Sequence, residues 1–204
     1  MSERKILDSG ERREFNSGAV RDIQEGKGRC DLLPLEPVAK LLFGDSTERA
    51  KVLFNLDDYM RTGHTDYLYE SLKEFILYTA YSTNPVVVEN EESSLIGSLK
   101  SDPNWLKYSV ILEVSKHYEE GAKKYAERNW EKGIPLHCFI DSAIRHFIKL
   151  SRGDSDEPHD RAFVWNILGA IWTHTHFTQA NNPEIFDLPF SKYVVKGENS
   201  NAVN

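Results

Sequence analysis

The chain has 204 residues, 40% hydrophobic and 11% aromatic, enough to bury the core of one domain and too few for a second full one. A formal net charge of -7 argues against a nucleic-acid backbone as partner, which would need clustered Lys and Arg. Two distant cysteines, Cys30 and Cys138, the lack of a membrane-length apolar run and a charged start, MSERKILDSGERREF, lead us to expect a soluble cytoplasmic protein with reduced thiols.

Residues 1–34 are polar and punctuated by glycine, and read as an N-terminal arm or ordered loop. Gly18, Gly26 and Gly28 beside Arg21, Lys27 and Arg29 are suited to offering amides and cations to a phosphate. A solvated terminus fits as well, and without a following strand and helix this is no P-loop. From residue 35 to 179 we expect a single all-α domain, a compact helical bundle, followed by an irregular C-terminal tail at 180–204. PVAKLLFG predicts a short helix stopped at Gly44. ERAKVLFNLDDYM predicts another, capped by Ser46 or Thr47, and TDYLYESLKEFILYTAY a third after Thr65. The run 84–99 is ambiguous between strand, favoured by Val86 to Val88, and helix. The acids Glu89, Glu91 and Glu92 read as solvated surface.

Asp102 and Pro103 form a helix start, with Trp105, Leu106, Val110, Ile111 and Val114 as an apolar stripe. Glu113, His117 and Glu120 share one face at i, i+4 and i+7. They suit a divalent cation, and equally a salt-bridged surface with Lys116, Lys123 and Lys124. RNWEKGIP is a connector whose Trp130 either stacks on a base or plugs a gap between helices. LHCFIDSAIRHFIKL should bury Phe139, Ile140, Ala143, Ile144, Phe147 and Ile148. Its Asp141 and Arg145 form an i,i+4 pair that leaves a phosphate-gripping role open to Arg145. His146 reads as a satisfied core histidine, a phosphate donor or a metal ligand. GDSDEPHD then places Asp154, Asp156, Glu157, His159 and Asp160 within seven positions, more acids than capping a helix requires. In the next helix His159, Phe163 and Asn166 share a face, and its apolar content puts it at the centre of the core.

Taken in order, SGAVRD, GKGRCDLLPL, EVSKHYEEGAKKY, NWEKGIP, DSAIRHFIKLSRGDSDEPH and AFVWN resemble the phage and bacterial family described as the dATP/dGTP diphosphohydrolase N-terminal domain, over about residues 14–44 and 106–175. The resemblance implies a mostly helical nucleotide-binding protein akin to MazG-like pyrophosphohydrolases, which use Mg²⁺ (or Mn²⁺) on helix-borne carboxylates to release pyrophosphate from a nucleoside triphosphate. We expect a homo-oligomer, because subunit packing would complete the pocket, located in the bacterial host cytoplasm if the chain is phage-encoded. The MazG-like ExxE followed by ExxD is broken here: the nearest pieces are His117 with Glu120 and Glu157 with Asp160. On this resemblance Glu113, His117, Glu120, Asp156, Glu157 and Asp160 would hold metal. His146, His159 and Glu157 would act in catalysis. Arg21, Lys27, Arg29, Lys124, Asn129, Trp130, Arg145 and Asn166 would bind a purine nucleotide. Two alternatives stand beside it. One is a protein that sequesters a nucleotide signal of host immunity without cleaving it. The other is an HD-type phosphohydrolase built on His159-Asp160, with His117 or His146 upstream and Asp187 downstream.

Overall fold

The computed structural model describes residues 10–83 and 103–191, and it is mostly helical as expected. Helix α1 (Leu35–Phe43) stops at Gly44, whose φ of 79° lies where side chains are disfavoured. Helix α2 (Glu48–Thr62) starts on Thr47, whose hydroxyl accepts the Ala50 N–H at 3.1 Å. Helix α3 (Asp66–Thr83) packs against α2. The run 84–99, the Asp102 cap and the side chains of Trp105 and Leu106 lie outside the described residues.

Helices α4 (Pro103–Tyr125), α5 (Leu136–Arg152) and α6 (His159–His176) build the other half. α6 is central: Phe163, Ile167 and Ala170 are fully buried, and Phe163 stacks on Phe75 of α3 with ring centroids 4.2 Å apart. Burying each such ring stabilises the fold by about 1.5–3 kcal/mol. α5 lies close against it because Gly169 of α6 has no side chain; a Cβ there would come within 2.4 Å of Phe139. The predicted apolar positions of α5 are buried except Ile148, which is half-buried. Ile111 departs from expectation and is exposed. The buried line of α4 runs through Val114 and His117, and at about 100° per residue Ile111 is turned off it.

The N-terminal arm is more ordered than a polar, glycine-rich stretch suggests. It holds an antiparallel hairpin, β1 (Arg12–Glu14) and β2 (Val20–Asp22), with Arg13 opposite Arg21, and a 3-10 turn at Cys30–Leu32. Strands this short are not stable alone. Bonds to the helical body hold them: Ser17 Oγ donates to Gly133 O at 2.7 Å, and Cys30 N–H donates to Asp141 Oδ1 at 2.6 Å. The Asn129 side chain closes two bonds with the Val20 backbone, at 2.8 and 2.9 Å. After α6 the chain is irregular, as its lost periodicity predicts, yet Ile185, Phe186, Leu188 and Phe190 are buried. Backbone bonds from Leu136 N–H to Ile185 O (2.9 Å) and from Phe190 N–H to Met60 O (3.1 Å) dock this segment on α5 and α2. No helix among the described residues is long and apolar enough to cross a membrane.

Candidate functional site

The hairpin and the loop after it close over the polar face of α5, with α4 and the start of α6 as side walls. The space enclosed is a cavity of about 320 Å³. α5 feeds it from successive turns, Asp141 and Ser142, then Arg145 and His146, then Lys149, while its other face is in the core. Arg13 and Arg21 enter from paired positions of the hairpin. Five cations line the cavity (Arg13, Arg21, Lys27, Arg145 and Lys149), against the carboxylates of Asp22, Asp141 and Glu157.

Among the described residues, two of these cations have no counter-ion. Arg21 Nη2 donates to Asn166 Oδ1 at 2.9 Å and to Ser142 Oγ at 3.3 Å, both neutral acceptors, and its buried Nη1 has no partner. The guanidinium stands 5.3 Å from the Phe139 ring and 5.4 Å from that of Trp165, and burial lowers its pKa. Arg13 donates to Gln24 Oε1 (2.9 Å) and Cys138 Sγ (3.2 Å), and its Nε is also buried and unpartnered. A buried cation without an anion is costly, and an anionic ligand offsets that cost. His117, 8% exposed, points at the same space with a partnerless Nδ1. Burial, reinforced by Arg161, Arg21 and Lys124, lowers its pKa to about 3, so it is a neutral imidazole.

Of the other predicted ligand-binding residues, Lys27 lines the cavity and the rest are engaged with the protein itself. Arg145 pairs with Asp141 and donates to the carbonyls of Lys27 and Gly28, both at 3.2 Å, pinning the loop over the cavity. Lys124 pairs with Asp22 at 2.7 Å. Arg29 pairs with Asp31 and does not line the cavity. Asn166 donates to Ala162 O at 2.7 Å while accepting from Arg21. Trp130 meets Trp172 edge to face at 4.9 Å, as an aromatic filling a gap does, but it also lines a second, more open groove with Tyr118 and Trp165. That groove and the cationic cavity share Gly121, Tyr125, Asn129 and Trp165.

The six expected metal ligands do not converge. Glu113 is exposed and paired with Lys116, Glu120 stands 3.9 Å from Arg161, and Asp160 is exposed at the start of α6. On α4 the glutamates sit on a face adjacent to the buried line, which explains why His117 alone of the trio turns inward. Instead the structure gathers His146, Glu157 and His159, with Asp156 behind them. Lys149, by hydrogen bonding above all, holds the Asp156 carboxyl down at about 2. His146 lies well below the usual histidine range, through burial first and the neighbouring His159 second.

Sequence reasoning missed Arg13 and Gln24, whose place depends on the hairpin, and a cluster at the opposite end of α5. There Asp187 accepts the His137 backbone N–H at 3.0 Å and bonds its Nδ1, while Nε2 lies 3.3 Å from Cys138 Sγ. The fifty residues separating His137 from Asp187 hide this link from any local pattern. Asp187 is thereby placed with His137 rather than with His159, so the four residues of the HD arrangement are not brought together.

A family comparison covers much of this machinery. Residues 92–182 match the family dATP/dGTP diphosphohydrolase, N-terminal. The resemblance read from the sequence is borne out over this segment, which contains α4, α5, α6 and the histidine cluster; the match does not extend to residues 14–44. No curated protein and no solved structure matches the chain.

Proposed function

We propose that the protein binds a purine deoxynucleoside triphosphate and hydrolyses it to monophosphate and pyrophosphate. The observation that carries this reading is the pair of guanidiniums, Arg13 and Arg21, that face one cavity, each with a buried unpartnered nitrogen and without a carboxylate partner among the described residues. A polyphosphate supplies the missing charge, and Lys27 and Lys149 at the cavity wall add to its binding. The aromatic groove of Tyr118, Trp130 and Trp165 adjoins the cavity and suits a purine ring. The family description of residues 92–182 agrees with such a substrate. For turnover without a metal ion at these residues, Glu157 or the neutral His146 accepts the proton of the attacking water, and the guanidiniums stabilise charge as pyrophosphate leaves.

The Mg²⁺ or Mn²⁺ implied by the resemblance fits the chain less well. An all-oxygen cage is not assembled, because Glu113 is paired with Lys116 and Asp160 is exposed, apart from Glu157. The same observation favours a second reading, binding without cleavage, in which the cavity sequesters a nucleotide or a nucleotide-derived signal. A homo-oligomer belongs to the proposal too, since self-association would cover the exposed Leu41 and Leu42 of α1.

Incubation with dATP or dGTP and a divalent cation, followed by ion-exchange separation of products, tests the choice. Monophosphate plus pyrophosphate is the expected outcome. Intact nucleotide recovered from the denatured protein selects sequestration, and released triphosphate or an unbound nucleotide overturns the assignment.

A further inference from the structure

His146 comes from the third turn of α5, His159 opens α6, and Glu157 lies in the loop between them. Their facing atoms, His146 Nδ1, His159 Nδ1 and Glu157 Oε1, form a triangle with sides of 3.0, 3.5 and 3.6 Å. A point equidistant from the three lies about 2.0 Å from each, the length of a zinc bond to imidazole nitrogen or carboxylate oxygen. His159 is fully buried, and its Nε2 is 2.8 Å from Asp156 Oδ1. A proton on Nε2 for that contact leaves the Nδ1 lone pair facing His146, the orientation that a carboxylate behind a ligating histidine enforces. Imidazole Nδ1 atoms 3.0 Å apart must share either a proton or a cation between them.

We propose that His146, Glu157 and His159 form a binding site for one divalent transition-metal ion of the Zn²⁺ class. Two imidazoles and one carboxylate suit such borderline ions and not Mg²⁺, which selects oxygen ligands. His146 and Glu157 also line the cationic cavity, so the open coordination position faces the space where the anionic ligand would sit. Asp156 is a positioning residue that sets the His159 tautomer. Lys149, 3.9 Å from Glu157 Oε1 and 3.1 Å from Asp156 Oδ2, is the one cation in contact with these carboxylates among the described residues, and it lowers affinity without blocking the triangle. The site deepens the function proposed above by naming an ion for the same cavity, but its binding of metal does not depend on the ligand being a nucleotide.

The test uses the full chain stripped of metal, with Zn²⁺ and Co²⁺ alone as probes. Calorimetry should read one Zn²⁺ per chain, and Co²⁺ should produce the visible bands of a low-coordinate site with nitrogen ligands. A large excess of Mg²⁺ should leave both signals in place. His146→Ala and Glu157→Gln should each weaken binding by more than about 100-fold, beyond the 10–100-fold typical of losing an outer partner. Asp156→Asn, at an exposed position that leaves the fold intact, should weaken it by about 10–100-fold. Absence of Zn²⁺ and Co²⁺ binding by the unaltered protein overturns the proposal, as does binding that persists unchanged in Glu157→Gln and Asp156→Asn. Nucleotide affinity measured without added metal separates the failure of this site from failure of the nucleotide reading.

Discussion

Helix α5 carries a histidine near each end, and the two are held in opposite states. At its start His137 is raised to about 9: burial opposes the charge more than any other single influence, yet hydrogen bonds to Asp187 and Cys138 and the electrostatic pull of its neighbours together outweigh it. Towards its end His146 is lowered well below the usual value, by burial and then by the neighbouring His159. The helix dipole would act in the reverse sense, disfavouring a cation at the N-terminus and favouring one at the C-terminus. Contact partners therefore decide over position along the helix. One end is a closed structural clasp between distant segments, and the other is a cluster left open to a cavity.

The comparison breaks most readily through the cavity end. Arg21→Met, which keeps volume and removes the charge, should weaken nucleotide binding by about 30-fold or more, roughly 2 kcal/mol, measured by calorimetry. Binding within twofold of the unaltered protein would detach the guanidinium from the ligand. The contact between α5 and α6 comes next. Gly169→Ala drives a methyl into Phe139 and should destabilise the fold by about 1–3 kcal/mol in denaturant titrations, with an unchanged midpoint refuting the close approach of α5 and α6.

The clasp end should respond to pH rather than to ligand. Because the folded pKa of His137 lies above its unfolded value of 6.5, its stabilisation is complete below about pH 6.5 and lost as pH rises through about 9. After allowing for solvent screening of a partly exposed pair, Asp187→Asn should cost about 1–2 kcal/mol at pH 6, and the two proteins should converge in stability by pH 10 except for the cap at the His137 N–H. A cost that grows with pH would reverse the assignment of charge. The smallest effect belongs to Glu113→Gln: its contact with Lys116 is exposed, so stability should move by less than about 0.5 kcal/mol and any metal-dependent turnover by less than twofold.

The amino-acid sequence by itself determined the helical class and most helix boundaries, because these follow from local chemistry: Thr47 as a cap, Gly44 and Gly153 as stops, and the periodic apolar face of α5. It also drew attention to the loop before α6, whose Asp156 and Glu157 lie beside His159. Only the tertiary structure decided which of those groups meet. Glu113 and His117 are four residues apart on α4, yet one is exposed beside Lys116 and the other is sealed beneath Arg21, since a small rotation about the helix separates water from core. Arg13, carried by a hairpin too short to announce itself, and Asp187, carried by an aperiodic tail, acquire their roles through partners 125 and 50 residues away. Contacts at such separations leave no periodic trace in a chain, because the energy that selects them comes from burial and from pairing of charge in the folded state.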